Sequence, residues 1–137
     1  MSLFDHTAAF SYAGYLITNR DDALDQLQAQ RFFPHYEKLD FHHITHLFPS
    51  QEPPPPVRGG TILAHCLGDG VECFVVELHF EDGTSTYERE HEGGTYHVTF
   101  SVAPGHQPKE SNDALATQPW LPLGTPVELE LEARLLS

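Results

Sequence analysis

Apolar and polar side chains alternate most cleanly in Tyr96-His97-Val98-Thr99-Phe100, where Tyr96, Val98 and Phe100 mark the core face of a strand and His97 and Thr99 face the other way. Phe41-His42-His43-Ile44-Thr45-His46-Leu47-Phe48 reads as a second such strand, closed by Pro49, with His43 and Thr45 on one face and His42 and His46 behind. The strict period of two over 127–135 predicts a single strand with a solvated face of Glu128, Glu130 and Glu132. An aromatic and β-branched run predicts a first strand over 10–18. Thr18 or Asn19 then caps a helix over 21–31, acidic in its first turn and basic in its last, as the helix dipole favours, and ended by Pro34. Ala23, Leu24 and Leu27 give it an apolar stripe just wide enough to lie on a sheet.

Pro53-Pro54-Pro55-Pro56 reads as a stiff surface loop between the two halves of the chain. Beyond it, strands over 61–67 and 72–80 form a hairpin about Asp69-Gly70, read as a two-residue type I′ turn that sets Cys66 opposite Cys73. Asp82-Gly83 turns the chain toward a short strand over 84–87, and a charged, glycine-ended loop over 88–94 delivers it to Tyr96. After a loop over 103–109, Ser111 or Asn112 caps a short helix over 113–116. These elements add up to one α+β domain over 1–137, with two small helices and about seven strands.

A chain of 137 residues buries a sizeable core without disulfides or metal. No apolar stretch nears the roughly 18 residues of a membrane span, and Met1-Ser2-Leu3-Phe4-Asp5-His6 is not a basic-then-apolar leader, so the expectation is a soluble, cytoplasmic protein without a membrane partner. In such a reducing setting Cys66 and Cys73 are expected as free thiols. Seven basic against twenty acidic side chains give a net charge of −13, which repels long DNA or RNA but still admits a small nucleotide where a few donors converge.

Within this frame the two His-x-Thr motifs carry the chemistry. Their side chains offer two imidazoles, one to take a proton from an attacking water and one to give a proton to a leaving oxygen, with two hydroxyls for the non-bridging oxygens of a phosphate. The motif is short and the chain has ten histidines, so strand context has to carry the reading. A metal cluster from His42, His46 and His65 or His79 lacks a carboxylate to complete it. Gly59-Gly60 and Gly93-Gly94 read as single turns without the spacing of a phosphate-cradling loop.

The chain resembles the 2H phosphoesterases, most closely the 2′,3′-cyclic nucleotide 3′-phosphodiesterase branch. The likeness rests on Tyr12-Ala13-Gly14-Tyr15-Leu16-Ile17-Thr18, on His43-Ile44-Thr45-His46-Leu47-Phe48, and on His97-Val98-Thr99-Phe100-Ser101-Val102-Ala103 with Pro108 and the helix beyond, and it spans about residues 10–136. It implies a bilobal fold with two antiparallel sheets flanking a cleft, few helices outside, and neither metal nor cofactor. It implies His43 and His97 as the acid/base pair and Thr45 and Thr99 as phosphate holders. Tyr12, Phe48, Pro108 and Lys109 match substrate-binding positions, although that branch tends to have an apolar residue where Lys109 stands. The expected activity is hydrolysis of a 2′,3′-cyclic phosphate on a small nucleotide or RNA end to a 2′-phosphate. The alternatives are another phosphodiester, such as a cyclic oligonucleotide signal, or a non-catalytic nucleotide-binding module. If the strand register is right, His43→Ala costs roughly 10²- to 10⁴-fold in turnover and His42→Ala far less. Equal losses in parallel assays of the two variants would contradict the register.

Overall fold

The computed structural model describes residues 11–89 and 94–137; residues 1–10, which include Phe10 of the first expected strand, and residues 90–93 of the charged loop lie outside them. In chain order the elements are β1 (Tyr12–Ile17), α1 (Arg20–Ala29), β2 (Lys38–Leu39), β3 (His43–Leu47), β4 (Val57–Leu67), β5 (Val71–Phe80), β6 (Ser85–Thr86) and β7 (His97–Val102). A 3₁₀ turn at Pro108–Glu110, α2 (Ser111–Thr117), β8 (Leu121–Leu129) and β9 (Leu131–Leu136) complete the chain. The strands form two antiparallel sheets, ordered β3-β1-β9 and β2-β7-β5-β4-β8, with β6 paired to β5. No helix among the described residues is long and apolar enough to cross a membrane.

β5 shows how the layers stack. Its core reads as an unbroken apolar run because both faces are covered. Phe74, Val76 and Leu78 join Tyr15, Ile44, Val98 and Phe100 in a cluster shared by both sheets and α1, whereas Val71, Cys73 and Val75 pack under α2 with Val102, Ala114 and Leu115. Each large side chain so buried contributes about 1.5–3 kcal/mol. Cys66 and Cys73 are paired across the hairpin, both buried and free. The turn itself departs from type I′: Gly70 takes positive φ (80°) and Asp69 does not, but two-residue loop length alone preserves the register.

The chain crosses between the sheets twice where the pattern suggested continuous strands. At the first crossing, residues 38–41 run along β7, with Phe41 N–H donating to the Thr99 carbonyl (2.8 Å), before β3 joins the smaller sheet. Phe41 pivots there at φ 71°, an unfavourable conformation for a bulky residue, and is held by full burial and an edge-on contact with Phe100. The expected strand over 41–48 therefore begins at His43. At the second crossing the expected strand over 127–135 breaks at Glu130: Leu129 pairs with Gly60 in the larger sheet and Leu131 with Ile17 in the smaller. β8 also starts earlier than the period suggested, its Pro122 and Pro126 being tolerated because it is an edge strand.

Adjacent side chains at the start of α1 brace both crossings. Asn19 donates to the Glu128 carbonyl (3.1 Å) and accepts from Glu130 N–H (2.8 Å), so it makes no side-chain cap on the helix it precedes. Arg20 donates to the carbonyls of Phe41 (2.9 Å) and Asp40 (2.8 Å). α1 then stops at Ala29, earlier than Pro34 would require, because Arg31 turns to φ 70°; its last turn has no basic residue.

Other elements differ in detail. Gly59 and Gly60, read as a turn, lie inside β4, where a Cβ on Gly60 would come within 3.0 Å of Leu131 and 3.1 Å of Val76. The proline loop is docked: Pro54 is buried and Tyr15 Oη donates to the Pro55 carbonyl (2.7 Å). Arg20→Ala removes both donors from the first crossing and is expected to cost about 2 kcal/mol in urea unfolding. An unchanged midpoint would show that the crossing does not depend on that guanidinium.

Candidate active site

Close packing of β1 against β3 sets one wall of the site. Gly14 lies opposite Thr45, and a Cβ there would stand 2.7 Å from the Ile44 carbonyl oxygen, so only glycine lets the strands approach this closely. Tyr12, two residues earlier, then reaches His43: Tyr12 Oη lies 3.3 Å from His43 Nε2, with ring centroids 5.3 Å apart. Phe48 stands beyond Tyr12 at 6.4 Å, is 51% exposed and lines the cleft.

β7 supplies the other wall. Tyr96, Val98 and Phe100 are buried in the core as the alternation requires, and Thr99 is buried on the cleft face. His97 Nδ1 lies 2.8 Å from the Thr95 carbonyl oxygen. A carbonyl only accepts, so Nδ1 carries the proton and Nε2 of the neutral ring keeps its lone pair. Thr99 Oγ1 lies 3.0 Å from Ser111 Oγ and 3.4 Å from the Pro108 carbonyl. The second contact is long, so the Thr99 hydroxyl readily turns its O–H to a better acceptor in the cleft while Ser111 holds the oxygen in place.

Between the walls lies a cavity of about 470 Å³, a volume suited to a small organic ligand. All eight sequence-derived candidates line it: His43, Thr45, His97, Thr99, Tyr12, Phe48, Pro108 and Lys109. The two motif strands belong to different sheets and are not hydrogen-bonded neighbours, so their imidazoles line the cavity from different sheets. Asp40, Arg89 and Asn112 line it too and were not singled out from the sequence. Asp40 reaches the cleft through the Phe41 pivot, which no period-two pattern contains, and Asn112 read as a helix cap.

The two imidazoles sit in unlike fields. Burial lowers the His97 pKa to about 4, with Arg89 and His43 pressing the same way against the hydrogen bond to Thr95. Burial also lowers His43, but Asp40 opposes it and favours the charged ring. Burial likewise raises the Tyr12 phenol, keeping it a neutral hydrogen-bonding group.

Of the four histidines weighed above as metal ligands, three are engaged elsewhere. His46 Nδ1 meets Tyr96 Oη (2.7 Å), His65 meets Glu72 (2.7 Å), and His79 lies between Thr61 (2.7 Å) and Ser85 (2.8 Å). His42 is open to solvent beside Asp40 at 3.8 Å. Among the described residues no three His, Cys, Asp or Glu side chains gather as a metal site. Comparison of the chain with models of protein families, with curated proteins and with solved structures finds no match.

The His97 environment has a stability consequence. Above pH 6.5 the ring is neutral in both folded and unfolded chains; between 6.5 and about 4 only the unfolded chain binds the proton, so stability falls as pH falls through that window. The full effect is at most about 3 kcal/mol, reduced by water reaching the edge of the ring that faces the cleft. Unfolding of the wild type and His97→Gln from pH 7 to 4 checks this: the variant is expected to lose less stability on acidification, and parallel curves would contradict it.

Proposed function

We propose that this chain is a phosphodiesterase that hydrolyses 2′,3′-cyclic phosphates of nucleotides or RNA ends to 2′-phosphates, using two histidines as acid and base without a metal. The observation that carries the proposal is a pair of His-x-Thr strands, one from each sheet, lining one nucleotide-sized cavity, with Asp40 acting on His43 and Arg89 on His97. Two antiparallel sheets each contributing one motif strand support assigning the bilobal 2H phosphoesterase fold.

His97 is the base. Its Nε2 lone pair takes a proton from water, whose oxygen attacks phosphorus as the P–O3′ bond breaks. His43, in the protonated form that Asp40 favours against burial, gives its proton to the departing 3′-oxygen. The products are a 2′-phosphate and a free 3′-hydroxyl, and the two rings return to their starting states by exchanging protons with solvent. Thr45 and Thr99 donate to non-bridging oxygens, and the exposed face of Phe48 receives the base. Lys109, exposed at the cleft rim, would meet a further phosphate on an RNA end.

The test is turnover of 2′,3′-cyclic AMP in EDTA, followed by phosphorus NMR and compared with 3′,5′-cyclic AMP. The 2′,3′ isomer alone should give 2′-AMP, with kcat/KM bell-shaped between an acid limb near pH 4, from His97, and an alkaline limb below 6.5, from His43. Asp40→Asn should move the alkaline limb further down. Activity only with added divalent metal, or 3′-AMP as product, would contradict the mechanism.

A further inference from the structure

We propose that Arg89 is the residue that grips the phosphoryl oxygens, and that Asn112 positions it. The inference rests on the phosphodiesterase reading above and goes beyond the two His-x-Thr motifs. Arg89 lines the cleft and is 8% exposed, although this chain has only seven basic residues against twenty acidic ones. A guanidinium is always charged, and its planar fork of N–H donors matches two oxygens of one phosphate.

The geometry around it is built. Arg89 N–H donates to the Gly94 carbonyl (3.2 Å), Glu88 bridges to Thr95, and Tyr96 N–H donates to the Tyr87 carbonyl (2.7 Å). The short ladder that carries Arg89 therefore also fixes Thr95, whose carbonyl sets the His97 tautomer. At the guanidinium end, Asn112 Oδ1 accepts from Arg89 Nη2 (3.2 Å) while its Nδ2 donates to the Lys109 carbonyl (2.9 Å). Both ends of the Asn112 amide are thus assigned by their partners, and the side chain links the guanidinium to the loop that bears Pro108 and Lys109. Thr99, held by Ser111 at 3.0 Å, offers a phosphate one hydrogen where the guanidinium offers a fork. As water attacks, negative charge grows on the non-bridging oxygens, and a fixed cation beside the base stabilises it without reorganising.

The experiment measures binding of 2′-AMP and of adenosine by calorimetry to wild type, Arg89→Gln, Arg89→Lys and Asn112→Ala, alongside kcat/KM for 2′,3′-cyclic AMP. Arg89→Gln should weaken 2′-AMP roughly 10- to 100-fold while leaving adenosine nearly unchanged. Arg89→Lys should recover part of the loss, and Asn112→Ala should show a smaller loss of the same kind. Unchanged 2′-AMP affinity in Arg89→Gln overturns the proposal, as do equal losses for 2′-AMP and adenosine, which would mark a purely structural residue. If 2′-AMP fails to bind wild type, the nucleotide reading of the cleft fails and this proposal with it. Normal turnover by Arg89→Gln, with His43→Ala and His97→Ala inactive, overturns this proposal alone.

Discussion

Two strand crossings between sheets, held by the neighbouring side chains Asn19 and Arg20, are the constraint on which the cleft depends. One crossing carries the chain from β2 along β7 to β3, and the other carries it from β8 to β9. The bracing is polar and local: Asn19 ties the backbone on both sides of Leu129, at Glu128 and Glu130, and Arg20 ties Asp40 and Phe41. Phe41 accepts a left-handed φ that costs about 1–2 kcal/mol, offset by its complete burial. That strained pivot brings Asp40 and His43 to the same cavity although they are three residues apart.

A second consequence of the same geometry is electrical. The two motif histidines are chemically identical, and each loses solvent on entering the cleft, yet the carboxylate delivered by the pivot favours charge on His43 while Arg89 disfavours it on His97. Acid/base catalysis by two like groups needs such a difference. The net charge of −13 governs what approaches from a distance, whereas the few donors inside the cleft govern what stays. The proposed preference for a small nucleotide or an RNA end follows from that contrast.

The strands and the motif residues His43, Thr45, His97 and Thr99 were legible because period-two alternation places alternate residues on one face whatever the tertiary context; the helices read from capping chemistry and an apolar stripe, and Tyr12, Phe48, Pro108 and Lys109 only through the family resemblance. Strand ends were less legible. A crossing leaves the hydrophobic period intact, so Leu129 and Leu131 read as one strand although they belong to different sheets. Helix caps were misread for a related reason: Asn19, Ser111 and Asn112 have the right chemistry for capping, but none makes a side-chain cap, and each gives at least one polar atom to a partner outside its helix. Short polar side chains at helix starts can serve either use, and only the fold decides. Arg89 was hidden in a charged loop whose composition matches any solvated turn.

That the fold makes two identical side chains titrate differently across one cleft is tested most directly by nitrogen-15 NMR of the imidazoles in the free protein, titrated from pH 8 to pH 4. The account predicts that His97 stays neutral with its proton on Nδ1 until the pH nears 4, while His43 takes up its proton at higher pH. Titration of both rings together, or a His97 proton on Nε2, would contradict it.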